Sequence, residues 1–330
     1  MKQIVWAACA ALTLGAGTAS QALELRLGMS APEPTPWAAA AKEMAAKVAE
    51  LSGGELTISP YFGNELGDGQ TMARQLARGR LDMATLSNVE ASLLLPEFGL
   101  LNAPYLFSGL EQADCVMDNH IGSNFNAAFE QAGAVYLASI EVGSMEIFSK
   151  QPFLTPSDIA NQKIRTSPAP TDTYYVEATG AAAVPLGVPD TMPALKTGAV
   201  VGITTPVIMG VAGGYVAEAP EIILTDHSHQ IGALLISKKT WDRLSDNQKN
   251  ALTEGAKGMM DLRVKVRAVE QALLQKAVAG GARIHTLSPE AKAEWKAAAA
   301  EAQAKILTSI GGNAEQVWAG LQQATAACAQ

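Results

Sequence analysis

The residues able to do chemistry are few, and their spacing does not suit catalysis. Four histidines occur, at His120, His227, His229 and His285. On a strand, His227 and His229 would face one side and could hold a metal. No third ligand falls at a fitting distance, so wall or surface roles are expected instead. Asp82 with Glu90, and Glu141 with Glu146, are near enough in sequence to pair as acid and base, but nothing beside them lifts them above solvated surface charges. The chain has no Gly-x-Gly-x-x-Gly, no phosphate loop ending in Gly-Lys-Ser/Thr, no Gly-x-Ser-x-Gly elbow and no Cys-x-x-Cys. An enzyme has no positive support, and neither a cofactor nor a metal is expected. Arg165, taken alone, reads as a surface cation paired with an acid such as Asp158.

The elements around these residues read as strand–helix units. Leu23, Leu25 and Leu27 alternate with Glu24, Arg26 and Gly28, as on a strand. Thr35-Pro36 caps a helix whose stripe is Trp37, Ala41, Met44, Val48 and Leu51, stopped at Gly53-Gly54. Leu56 and Ile58 mark a second strand, 72–78 a short helix and Leu81–Leu86 a third strand. The pattern recurs after residue 150. Thr155-Pro156-Ser157-Asp158 is a capping box, Lys163–Thr166 a strand, Thr173–Thr179 and Asp190–Thr197 helices, and Ala199–Thr204 a further strand. Such repetition predicts an α/β fold with mostly parallel strands, in two lobes of similar architecture. From Ser245 to about Ala279 one unbroken helix is expected, long enough to brace both lobes, and Ser288-Pro289 starts another.

The ends and the bulk properties limit the setting. Lys2 precedes an uncharged run from Ile4 to Gly17, and Ser20 and Ala22 fit the −3 and −1 positions of a cleavage site, so residues 1–22 read as an export signal. That run is too short to stay in a bilayer as a spanning helix. Removing it leaves about 308 residues, which suggests two domains. A hydrophobic fraction of 48% against 17% charged supplies a large core. A net charge of −8 argues against nucleic acid as a partner and means that any anion must be held by a local device.

An ordered series of motifs resembles the solute-binding proteins of TRAP (tripartite ATP-independent periplasmic) transporters, of the C4-dicarboxylate-binding type. Pro156-Ser157-Asp158-Ile159 followed by Gln162-Lys163-Ile164-Arg165 is similar to that family's "p-x-D-l-x-G-x-K-x-R". Thr179-Gly180-Ala181, Val184-Pro185, Ala194-Leu195-Lys196-Thr197-Gly198 and Val200-Val201-Gly202 follow in order. Ser52-Gly53-Gly54, Leu66-Gly67, Gly79–Met83 and Pro104–Phe107 precede them, and Thr225-Asp226-His227 and Trp241–Ser245 come after.

The resemblance implies a two-lobed periplasmic-binding-protein fold of type II, with crossing hinge strands, a ligand cleft and a long C-terminal bracing helix. Its expected divisions are 23–142 with 231–270 for lobe I and 143–230 with 271–330 for lobe II. It implies a periplasmic monomer that grips a small carboxylate through Arg165 and delivers it to small and large membrane subunits. A sensory receptor is not separable from this by sequence, and a periplasmic enzyme acting on a carboxylate has less support. Guanidinium suits the gripping role because two parallel charge-assisted hydrogen bonds match a carboxylate.

Departures from the family pattern bear on the ligand. Met145 stands where many relatives carry a second arginine, Thr205 where an asparagine is common, Val201 replaces an aspartate and Val188 an aromatic. One clamped carboxylate with a less charged remainder is expected: a 2-oxo or hydroxy monocarboxylate or an aromatic acid, with a C4-dicarboxylate still open. Ser30, Ser87 and Asn88 follow strands and should face the cleft. Trp37 could stack on ligand but fits a core stripe, and Met145 and Met209 could wall an apolar pocket. By the same resemblance Cys115 falls in the first lobe and Cys328 on the second. A bridge would restrain closure, so the thiols are expected to stay apart.

Overall fold

The computed structural model describes residues 22–329. The export-signal reading of residues 1–22, with Cys9, lies outside them except for Ala22. The strands are β1 (Leu23–Met29), β2 (Leu56–Tyr61), β3 (Met83–Leu86), β4 (Ala134–Ser149), β5 (Lys163–Thr166), β6 (Ala182–Pro185), β7 (Gly202–Pro206), β8 (Glu221–Ser237) and β9 (Arg283–Thr286). The helices are α1 (Pro36–Leu51), α2 (Gly69–Ala77), α3 (Asn88–Ala91), α4 (Leu110–Asn119), α5 (Ile121–Gln131), α6 (Pro156–Ile159), α7 (Pro170–Ala178), α8 (Val188–Thr197) and α9 (Val207–Ala212), followed by α10 (Lys238–Trp241), α11 (Asp246–Met260), α12 (Leu262–Ala279), α13 (Pro289–Ile310) and α14 (Ala314–Ala327).

Local chemistry explains the helix starts. Thr35 accepts the Ala38 N–H and Pro36 opens α1; Ser245 and Gln248 cap α11 reciprocally, as Thr155 and Asp158 cap α6. Gly198, at φ 73°, ends α8 in the left-handed region.

One sheet runs β2-β1-β3-β8-β4-β7-β5-β6, with β9 added on β8. The flanking strands pair in parallel, whereas β4 and β8, of 16 and 17 residues, are antiparallel and cross from one lobe to the other. Residues 134–141 of β4 pair in the first lobe and 143–149 in the second. The register slips between Glu141 and Gly143, where Gly143 takes φ 125°, a value that glycine tolerates. Of the three register shifts along this pair, this one falls where the strands pass from the first half of the sheet to the second, a point we call the hinge.

Four apolar clusters fill the two sheet halves. Two collect on the first half, around Met72, Phe98 and Leu235 and around Leu27, Met44 and Leu234. The other two collect on the second half, around Ile164, Tyr175 and Trp295 and around Phe148, Leu195 and Ile222. α13 spans them, placing Trp295 and Ala299 in a second-lobe cluster and Ala302 and Ile306 in a first-lobe one. α12 does likewise, with Val266 on the first half and Ala277 on the second. Burial at both ends holds each helix across the junction.

Several expectations are corrected. The single helix over 245–279 is two, broken at Asp261: α11 lies on α1 and β4, and α12 on β4 and α9. The tail past residue 302 packs in the first lobe, not the second: Ala314, Leu321, Ala324 and Cys328 join the cluster of Phe98 and Val116. Cys115 and Cys328 are therefore neighbours, with Cα atoms 5.8 Å apart, and they form a disulfide. Since the bridge lies within one lobe, it does not cross the cleft, and the argument for separate thiols falls. Glu141 and Glu146 are 2% and 1% exposed, not solvated. Smaller shifts start β3 at Met83, β7 at Gly202, α7 at Pro170 and α8 at Val188.

Candidate functional site

Arg165 lies in β5 between Val184 of β6 and Ile203 of β7 and is only 6% exposed. Nε and Nη2 donate to the Leu186 carbonyl at 3.0 and 2.7 Å, and Nη1 donates to the Thr204 carbonyl at 3.2 Å. A guanidinium has five N–H groups, so two remain. None of the ion pairs among the described residues includes Arg165. The expected surface partner is elsewhere: Asp158 caps α6, accepting from Leu154 and Thr155.

The charge near Arg165 comes from Asp172 in the first turn of α7. Its carboxylate accepts the Thr204 hydroxyl at 2.7 and 2.8 Å and the Ser167 N–H at 2.6 Å. Burial raises the Asp172 carboxyl above its ordinary range, opposed by those hydrogen bonds and by Arg165. Burial lowers the Arg165 guanidinium, opposed by Asp172 and Tyr215. A buried cation without a contacting anion is costly, and an arriving carboxylate relieves that cost.

Several of the expected site residues lie on β7, on β4 beside it, or just past the ends of β6 and β7. Thr205, 4% exposed, follows Thr204 and pairs with Glu146; Met145, 3% exposed, pairs with Pro206 and Ser228. Val188 stands two residues after the Leu186 carbonyl and Met209 lies in α9, directly after β7. Both side chains are exposed. Asn88 is in the first lobe. Its Oδ1 accepts from Gln230 Nε2 at 3.0 Å, and Gln230 pairs with Gly143 at the hinge. Asn88 Nδ2 and Ser30 Oγ are buried without partners. Ser87 is spent on capping α3 with Glu90, and Trp37 Nε1 donates to the Glu141 carbonyl at 2.8 Å. Trp37 packs against the first-lobe cluster, in keeping with its stripe.

Sequence reasoning missed Asp172, Thr204, Gln230 and the Leu186 carbonyl. An acid in a helix's first turn looks like a dipole partner, and a backbone acceptor leaves no mark in the sequence.

The hinge carries its own charge cluster. Arg267 of α12 bonds both oxygens of Glu141 at 2.8 and 2.7 Å and both of Asp114 at 2.9 and 2.6 Å. These acids hold its guanidinium up against burial. Glu270 accepts the Ser144 N–H at 3.1 Å, and burial pushes its carboxyl up to about 7. His227 stacks on Tyr175 at 5.0 Å and is lowered to about 3 by burial, so it is neutral; His229 lies 3.4 Å from Glu141. Both histidines are buried, and among the described residues no group of three or more side chains could hold a metal. A separate cavity of about 490 Å³ lies between Tyr105 and Phe107 and helices α13 and α14, and Arg165 does not line it.

Residues 27–309 match the family described as bacterial extracellular solute-binding protein, family 7. The 2,3-diketo-L-gulonate-binding periplasmic protein YiaO of Escherichia coli is 26% identical over 251 residues, 76% of this chain and 76% of that protein. The sialic acid-binding periplasmic protein SiaP of Vibrio cholerae is 25% identical over 276 residues, 83% of this chain and 86% of that protein. A solved TRAP periplasmic solute-binding protein of Ochrobactrum anthropi, its C-terminus bound in the ligand pocket, superposes with a TM-score of 0.84 at 26% identity, over 93% of this chain and 97% of that one. The galactonate complex of a sugar acid binding protein from Advenella mimigardefordensis also gives 0.84, at 22% identity over 93% and 99% of the chains.

Proposed function

The chain belongs to the bacterial extracellular solute-binding proteins of family 7, the receptors of TRAP transport systems, and we propose that it binds a small organic acid through a single carboxylate clamped by Arg165. Export with removal of residues 1–22, action as a monomer without enzymatic turnover, and delivery of the acid to small and large membrane subunits complete the proposal.

The observation that carries it is the state of Arg165: buried, fixed by two carbonyls, with two N–H groups left and no carboxylate in contact. A guanidinium in that condition is prepared for a bidentate anion. Solved neighbours of similar fold hold D-glucuronate, β-D-galacturonate and L-gulonate, each a monocarboxylate. Met145, where many relatives have a second arginine, supports one anchored carboxylate and a less charged remainder.

A thermal-shift screen of organic acids, followed by calorimetry, tests the reading. Micromolar to nanomolar binding corresponds to about −8 to −12 kcal/mol. Arg165→Ala should remove two charge-assisted hydrogen bonds worth about 3 to 6 kcal/mol together, a loss of a hundredfold or more, with the fold intact. Arg165→Lys should also lose most of the affinity, because the fork geometry goes. Unchanged affinity in Arg165→Ala would refute the anchor.

A further inference from the structure

The cavity of about 490 Å³ that Arg165 does not line is built from both lobes. Tyr105 and Ala299 bring the second-lobe cluster of Trp295 to its wall, and Phe107, Ile306 and Trp318 bring the first-lobe cluster of Phe98. Its volume falls within the range of about 300 to 1,000 Å³ that small-molecule sites occupy. No Asp or Glu lines it, in a chain that carries 32 of them, and Lys296 is the one cation on its wall. Lys296 is exposed and enters none of the ion pairs among the described residues. Its charge is therefore left for something outside the chain to neutralise.

Two further features separate this wall from an ordinary groove. Tyr105 takes φ 52°, left-handed backbone that a bulky side chain rarely adopts. Its N–H donates to the His227 carbonyl at 2.7 Å and its hydroxyl to the Thr225 carbonyl at 3.1 Å, so β8 holds the strained residue in place. Held there, its ring carries the Lys296 ammonium over its face, 5.7 Å from the centre. Strain that the surroundings enforce in this way concentrates at ligand sites. The second feature is Trp318, whose Nε1 is buried without a partner although an indole N–H ordinarily finds one.

We propose that this cavity is a second binding site, separate from the Arg165 cleft, for an organic anion with an apolar body. The anionic head pairs with Lys296, and the body covers Phe107, Ile306 and Trp318. A cation finds no carboxylate here. A polyhydroxy acid would set its hydroxyls against apolar side chains, so the two sites take different ligands. The probe is octanoate, titrated against the full chain while the Trp318 Nε1–H resonance is followed by NMR. Loss of that resonance in Trp318→Phe assigns it. Octanoate should move it in a saturable way, and octanol and octylammonium should bind at least fivefold more weakly.

Lys296→Gln, at an exposed position, should bring octanoate down to the level of octanol. Ala300, also exposed on α13, lines the cavity, and Ala300→Trp should abolish the shift by filling the space. No saturable shift in the wild type, equal binding of octanoate and octanol, or unchanged octanoate binding in Lys296→Gln overturns the proposal. So does a Trp318 shift that survives Ala300→Trp. A shift that disappears in Arg165→Ala would place octanoate in the cleft, which removes the second site and leaves the anchor standing.

Discussion

Glu270→Gln should change how the stability of this protein depends on pH. Glu270 is 8% exposed, on α12 against the hinge, and its Oε1 accepts the Ser144 N–H at 3.1 Å. Burial, Glu141 and Asp226 raise its carboxyl from 4.5 to about 7, while the Ser144 N–H and Arg267 pull the other way. Between those values the folded chain holds a proton that the unfolded chain has released, so stability falls as pH rises from about 4.5 to 7. The difference corresponds to about 3 kcal/mol at most. Glutamine keeps an oxygen for the Ser144 N–H but cannot ionise. Relative to wild type, Glu270→Gln should therefore gain about 3 kcal/mol on going from pH 4.5 to pH 8. Urea unfolding of both proteins at intervals across this range measures the gain directly, because other groups titrate alike in both and cancel. Parallel stability curves would show that Glu270 is ionised in the folded state, and that burial at the hinge does not govern it.

Two further outcomes follow from the same geometry. Cys115→Ser with Cys328→Ser opens a loop of 213 residues, a loss of about 5 kcal/mol in the chain-entropy treatment. Calorimetric melting should show a lower Tm, while ligand affinity stays within twofold because the bridge lies inside the first lobe; a large affinity change would contradict that placement. Met145→Arg puts a second cation one strand from Thr204 and should raise dicarboxylates above monocarboxylates in a calorimetric ranking, and an unchanged order would reject Met145 as a determinant.

Much of the architecture was legible before any coordinates. Alternating Leu23, Leu25 and Leu27 marked β1, Lys163–Thr166 matched β5, and the Thr35-Pro36 and Ser245/Gln248 signals placed helix starts, because caps and periodicity are local properties. The family's ordered motifs singled out Arg165 where composition did not. Less legible were Glu141 and Glu146, which read as solvated until β4 proved to be the central crossing strand. A charge's environment depends on what packs over it.

The amino-acid sequence by itself determined the α/β alternation, the two lobes and the arginine, since each rests on contacts between near neighbours in the chain or on a motif of a few residues. Tertiary structure alone decided that the tail returns to the first lobe, that Cys115 meets Cys328 across 213 residues, and that Arg165 is held by the Leu186 and Thr204 carbonyls. Those pairings join residues 21 to 213 positions apart. Their partners include backbone oxygens common to every residue, so the side-chain pattern cannot announce them; only packing brings them together.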